Sequence, residues 1–224
     1  MSLIAKKYVS YLILLLVIGC QQEIDINEGT NPNTNSNNSE TTNYYKRVGM
    51  YDGSFDDLID NASCFSVELP VSLKANGIAL TIEEINDYQL VETIFNQSSI
   101  DDDTIGFNFP ITIFNYDYTQ STITNQEKLD DLTTNCGQLI TSNLSAITCV
   151  DLVYPIKISL FNIGNDQASI ITIINDQELY GFTSSLSNNE VYSINYPINV
   201  LVNNTDSIEI IDDSEFKSII NDCI

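Results

Sequence analysis

Leu69-Pro70-Val71-Ser72-Leu73 returns as Phe109-Pro110-Ile111-Thr112-Ile113, Tyr154-Pro155-Ile156-Lys157-Ile158 and Tyr196-Pro197-Ile198-Asn199-Val200. The four prolines lie 40, 45 and 42 residues apart. Counted from each proline, positions −3, −1, +1 and +3 are apolar in every copy, and +2 is polar. Alternation with a period of two marks a strand with one buried face. Proline lacks the ladder N–H, so this strand is expected on an edge or at a bulge.

Working outward, each copy is followed by a second apolar-rich run: Ala79 to Ile82, Ser121 to Thr124, Ser169 to Ile173 and Ser207 to Ile210. Turn residues such as Asn76-Gly77 and Asn203-Asn204-Thr205-Asp206 separate the two runs, which predicts a hairpin. Between Phe114 and Gln120 no turn glycine is present. Candidate helix N-caps come next, at Asn86, Asn125, Asn175 and Asp212. Three residues on stand Gln89, Lys128, Glu178 and Glu215, so three of the four form a capping box and Lys128 breaks the fourth. Ile85, Ile174 and Ile211 precede their caps and are predicted to staple to Leu90, Leu179 and Phe216.

The unit is therefore a hairpin followed by a helix, four times over. Cys64 and Cys149 each lie six residues before a repeat proline, and Cys136 and Cys223 each lie eleven after a cap. The four units thus fall into two duplicated blocks, each bounded by cysteines. The fold class expected is α+β, each block a four-stranded antiparallel sheet with two helices on one face. Pseudo-symmetry favours the pairs Cys64–Cys136 and Cys149–Cys223, and the symmetric rival is Cys64–Cys149 with Cys136–Cys223. The organisation read is a signal peptide over 1–19, a lipidated Cys and flexible tether over 20–54, a first block over 55–136, a linker over 137–148 and a second block over 149–224.

The N-terminus supplies location. Lys6 and Lys7 precede an apolar run, Tyr8 to Ile18, too short for a permanent span. Val17-Ile18-Gly19-Cys20 resembles the lipobox of bacterial lipoproteins, which implies cleavage before Cys20, a diacylglyceryl group on its thiol and acylation of its new amine. Several acyl chains on one residue give stable anchoring. The acidic stretch Gln21-Gln22-Glu23-Ile24-Asp25 is similar to the export tags of Bacteroidota surface lipoproteins. Asn31-Pro32-Asn33-Thr34-Asn35-Ser36-Asn37-Asn38-Ser39 shows no apolar periodicity and is predicted to be a spacer.

Phe55-Asp56-Asp57-Leu58-Ile59-Asp60-Asn61-Ala62-Ser63-Cys64-Phe65-Ser66-Val67-Glu68-Leu69-Pro70 resembles the core opening of uncharacterised cell-surface lipoproteins of Bacteroidota, of flavobacterial type. Asn175-Asp176-Gln177-Glu178-Leu179 is similar to their acidic cap motif. The resemblance runs from Phe55 to Cys223. It implies location and a duplicated hairpin–helix fold, and carries no activity.

The chemistry on offer is sparse. Without its two leader lysines the chain keeps 6 basic residues against 31 acidic ones, a net charge of −25. Such a surface repels nucleic acid. The absence of His removes the commonest general base and most zinc sites. Asp101, Asp102 and Asp103 are the calcium candidates. Asp56, Asp57 and Asp60 form a second acid cluster; runs of this kind are expected to be solvated. Trp is absent, which weakens a sugar-stacking platform, although 12 Tyr residues can contribute. Asp103-Thr104-Ile105 and Asp206-Ser207-Ile208 resemble a Bacteroidota O-glycosylation motif.

These features predict a lipid-anchored outer-membrane protein facing the cell exterior, with the periplasmic face as the alternative. It is expected to be a non-catalytic binding, adhesion or accessory module, without a cofactor, whose partner is an envelope or extracellular protein or a glycan. The alternatives are a carboxylate-based or metal-assisted hydrolase and a structural envelope lipoprotein.

Overall fold

The computed structural model describes residues 31–98, 100, 102–142 and 144–224. Among them the chain is mixed α+β, with six α-helices and several small antiparallel sheets. Residues 33–224 form one compact unit. The leader over 1–19 and Cys20 lie outside the described residues.

After β1 (Asn35–Ser36), α1 (Glu40–Val48) and the short α2 (Asp57–Asp60), one order of elements recurs. The first pass is β2 (Phe65–Val67), β3 (Val71–Ala75), β4 (Ile78–Ile82) and α3 (Tyr88–Phe95). The second is β5 (Ile105–Phe107), β6 (Ile111–Asn115), β7 (Gln120–Ile123) and α4 (Gln126–Thr141). The third is β8 (Val150–Leu152), β9 (Ile156–Asn162), β10 (Gln167–Ile173) and α5 (Asp176–Ser185). The fourth is β11 (Glu190–Ile194), β12 (Ile198–Val202), β13 (Asp206–Ile210) and α6 (Asp213–Asn221).

Each strand after a repeat proline pairs antiparallel with its successor. The β3–β4 turn uses Asn76 at φ 47° and Gly77 at φ 81°, the left-handed conformation that Asn-Gly hairpins favour. The glycine-free β6–β7 turn instead places Tyr118 at φ 65°. All four repeat prolines follow cis peptide bonds.

The sheets differ from the expected four-stranded arrangement. They are β4-β3-β5, β2-β6-β7, β13-β12-β8 and the four-stranded β1-β11-β9-β10. The alternating segment does not continue as one strand through its proline. It breaks there, and its two halves enter different sheets. The short strand of one unit joins the hairpin of its neighbour, and the neighbour reciprocates. Val67 faces Ile113, Phe107 faces Leu73, Leu152 faces Val200 and Ile194 faces Ile158. In every case position −3 of one unit meets position +3 of the other. The N–H of position −2 donates to the carbonyl of position +2 across the same exchange: Glu68 to Thr112, Asn108 to Ser72, Val153 to Asn199 and Asn195 to Lys157, at 2.9–3.0 Å. The apolar periodicity is thus satisfied between units.

Two hydrophobic cores result. The first gathers Phe65, Leu73, Ile82, Val91, Ile113 and Leu129. The second gathers Tyr45, Ile158, Leu179, Tyr192, Val200 and Phe216. Cys64 bonds Cys136 and Cys149 bonds Cys223, with Cα atoms 5.7 and 6.2 Å apart. Each disulfide closes one block.

Asn125, Asn175 and Asp212 cap their helices by accepting from the N–H three residues on. In the first unit the start differs. Glu84 caps a 3-10 turn, Ile85–Asp87, and Asp87 accepts from the N–H groups of Glu83 and Glu84. Ile85, Ile174 and Ile211 are exposed, so the predicted staples are not buried. Helix α4 runs through Cys136 as far as Thr141 and takes up the first five residues of the predicted linker.

The tether expected over 20–54 is folded wherever it is described, apart from its first few residues. Asn35 and Ser36 pair with Tyr192 and Val191. Ser39 caps α1 by accepting from the Thr42 N–H. Tyr44, Tyr45 and Val48 bury one face of α1 in the second core, and Tyr45 stacks on Phe216 at 4.1 Å between ring centroids. The polar residues that suggested a spacer make specific bonds: Asn35 donates to Asp213 at 2.6 Å, and Thr42 donates to the Ser36 carbonyl at 2.6 Å. Asn, Ser and Thr make such local bonds as readily as they solvate a loose chain.

Candidate functional site

Helix α1 lies on α5 with its C-terminal end in backbone contact. A Cβ added at Gly49 would stand 2.9 Å from the Tyr180 nitrogen and 3.0 Å from the Asp176 carbonyl oxygen. Only glycine permits this approach. Two adjoining cavities line the flank of α1. The first, about 350 Å³, is bordered by Asn38, Thr42, Asn43, Lys46, Thr183 and Ser184. The second, about 190 Å³, is bordered by Asn43, Lys46, Arg47, Met50, Tyr116 and Tyr180. Asn43 and Lys46 belong to both, so the two form one groove.

The upper lobe is a surface of amides and hydroxyls. The lower lobe is aromatic and basic. Tyr116 and Tyr180 meet edge to face at 6.4 Å, Tyr118 lies 6.2 Å from Tyr180, and Tyr51 lies 5.7 Å from Tyr118. This tyrosine cluster joins the two blocks, and the Tyr118 hydroxyl donates to the Gly49 carbonyl at 3.1 Å. Burial raises the Tyr118 and Tyr180 hydroxyls above the ordinary phenol range, so both remain neutral donors. The Lys46 ammonium sits 5.5 Å from the Tyr180 ring centroid, a cation–π distance. Arg47 is 5% exposed, its Nε donates to the Ser145 carbonyl at 2.8 Å, and burial lowers its pKa from the ordinary value.

No protein-family model, curated protein or solved structure matches the chain. The site is therefore read from its own chemistry.

The sequence-predicted candidates fall elsewhere. Cys20 and Asp101 lie outside the described residues. Asp102 and Asp103 are exposed, and Asp103 accepts from the Asn76 amide at 2.9 Å, which ties the β3–β4 turn to the start of β5. Among the described residues no group of three or more acidic, His or Cys side chains is arranged to hold a metal ion. Cys64, Cys136, Cys149 and Cys223 are occupied in disulfides.

The Asp56, Asp57 and Asp60 cluster is not solvated as expected. Asp56 is 0% exposed and Asp60 7%. Each acid accepts one bond, from the Val67 N–H, the Ser63 hydroxyl and the Ala62 N–H respectively. Their second oxygens, with the Tyr88 hydroxyl, make four of the five buried side-chain atoms without a partner among the described residues. Desolvation pushes Asp56 up to about 7, offset in part by the Val67 N–H, and pushes Asp60 up to about 9, with the Asp56 charge adding to it. These carboxyls lie beside the first core, and none of them borders either lobe of the groove.

Sequence reasoning missed the groove because Lys46 and Arg47 lie in the segment assigned to the tether. The signal was present: Thr41, Tyr44, Tyr45 and Val48 follow helical spacing behind the Ser39 cap.

Proposed function

We propose that the protein is a lipid-anchored binding module of the cell envelope, held by Cys20 in the outer membrane and facing the cell exterior, and that the α1–α5 groove takes a saccharide. The single observation that carries this reading is the groove's lining. Amides and hydroxyls line one lobe, tyrosine rings the other, and Asn38 and Asn43 present exposed side-chain amides. Sugars are recognised by this combination of directional polar groups and aromatic faces. The four units act as a duplicated, disulfide-closed scaffold that holds the groove rigid. The strong acidity keeps the domain away from nucleic acid and anionic lipid.

The hydrolase reading is the weaker one. Its best-tuned carboxyls, Asp56 and Asp60, are sealed in the first core. A structural envelope role leaves the groove unexplained. Two measurements test the proposal. Protease shaving of intact cells is expected to remove the protein, and survival of the protein would place it on the periplasmic face. A glycan array probed with the full-length protein is expected to give signals that Asn43→Ala and Tyr180→Ala abolish; signals unchanged in both variants would discard the groove.

A further inference from the structure

We infer that the lower lobe of the groove is an anion subsite, built by Arg47 and Lys46, that selects saccharides bearing a carboxylate or sulfate group. This rests on the saccharide reading for the sugar and on independent observations for the charge.

The chain holds far more acid than base, so its few cations are expected to find carboxylates. The one ion pair among the described residues is Lys217–Glu40, at 3.7 Å. Lys46 faces a ring instead, and among the described residues Arg47 forms no ion pair; the neighbouring Tyr44 hydroxyl, raised by burial, is neutral. A guanidinium offers five N–H donors. Nε uses one on Ser145. The four on the two Nη atoms have no partner among the described residues, and neither nitrogen is sealed from solvent. Arg47 borders the lower lobe, so a ligand seated there lies beside this side chain.

Arg47 is 5% exposed as a residue, and a cation in so enclosed a place without a carboxylate partner is costly to hold in a fold. A bound oxyanion offsets that cost, since two Nη atoms match two oxygens of a carboxylate or sulfate. Lys46, which borders the same cavity, adds a second positive charge. Ser145 fixes the guanidinium in plane, so little freedom remains to lose on binding. The 190 Å³ lobe accommodates an anionic group with part of its ring, and the amide lobe beside it receives the next sugar.

The test uses the full-length protein in detergent and isothermal titration calorimetry with three probes: a trimer of galacturonic acid, its carboxyl-reduced counterpart, and inorganic sulfate. The acidic trimer is expected to bind about tenfold more tightly than the reduced one, the advantage of charge-assisted bonds over neutral ones. Sulfate is expected to compete with it. Arg47→Gln is expected to erase the preference. Lys46→Gln, at a half-exposed position that does not endanger folding, is expected to reduce it severalfold. Equal binding of the two trimers, or a preference that survives both variants, overturns the subsite and leaves saccharide binding standing. Sulfate binding that Arg47→Gln removes, with neither trimer bound, supports the subsite and overturns the saccharide reading. No binding of any probe overturns both.

Discussion

The two blocks share an order of elements and an exchange of strands, yet they bury polarity in opposite ways. In the second block Tyr154 donates to Asp176 at 2.6 Å and Tyr196 donates to Asp213, each tyrosine preceding a repeat proline and each acid opening a helix. The first block has Leu69 and Phe109 at those positions. Its polar interior is Asp56, Asp57 and Asp60, with one oxygen of each unpartnered among the described residues. One scaffold therefore carries in its second block buried acids mostly answered by tyrosine, Asp151 excepted, and in its first a cluster of three acids that answer one another only by charge. The polar groups of a repeat belong to its local history, whereas its apolar register belongs to the fold.

Four substitutions break or sharpen that contrast. The largest effect is expected from the staples, where the blocks should behave alike. Their cysteines are separated by 72 and 74 residues, so replacing either pair with Ser costs about 4 kcal/mol on the chain-entropy account. Denaturant titration of each variant checks this, and a strongly unequal loss would show that one block leans on its disulfide more than loop length requires.

Tyr45→Ala comes next and should separate the blocks. It removes a stacked ring from the second core and costs about 3 kcal/mol. Hydrogen exchange is expected to accelerate at Ile158, Leu179 and Val200 while Leu73 and Ile113 keep their protection. Equal acceleration in both cores would mean that the blocks unfold as one.

Asp60→Asn probes the first block alone. The carboxyl has a folded pKa of about 9, against an unfolded value of about 3.9. The folded state binds the extra proton, so the stabilisation is complete below pH 4 and is lost as pH rises towards 9. Asp56 adds the same slope up to about pH 7. The variant is expected to gain on the order of 2 kcal/mol over the parent at pH 8 and little at pH 4. Thermal melts of parent and variant across that range decide it; parallel profiles would contradict a buried proton.

The smallest effect is expected at the seam between the blocks. Tyr118 sits at φ 65°, a conformation that costs a bulky residue about 1 kcal/mol. Its bond to the Gly49 carbonyl returns about the same. Tyr118→Gly relieves the strain but gives up this bond and the ring contacts with Tyr51 and Tyr180, so a net loss of about 1 kcal/mol is expected, read as a small fall in melting temperature.

Much of the local structure was legible in the sequence. Hairpins follow from alternation and turn chemistry, and Asn125, Asn175 and Asp212 cap where their spacing places them. The exchange of strands was not legible, because the alternation around each proline is satisfied equally by one continuous strand or by two halves in different sheets. Only pairing between units, which no local pattern records, decides between them. The run from Asn33 to Thr42 misled for a different reason. Composition counts Asn, Ser and Thr as solvating groups, and here Asn35, Ser39 and Thr42 spend their polarity on Asp213, a helix cap and the Ser36 carbonyl. Placing that segment outside the fold also hid Lys46 and Arg47, and with them the groove. Asp56 and Asp60 read as surface acids because sequence does not reveal that a carboxylate sits beneath a strand.

The reciprocal trade of short strands sets a counting rule for this architecture. A single unit owns a three-residue or five-residue strand that it never uses itself and a hairpin that needs someone else's. Alone, it would present one orphan ribbon and one open edge. Two units close the account, as β2 with β6 and β5 with β3. A third would reopen it. On this pairing, two units are the smallest set in which every strand of the exchange finds its partner.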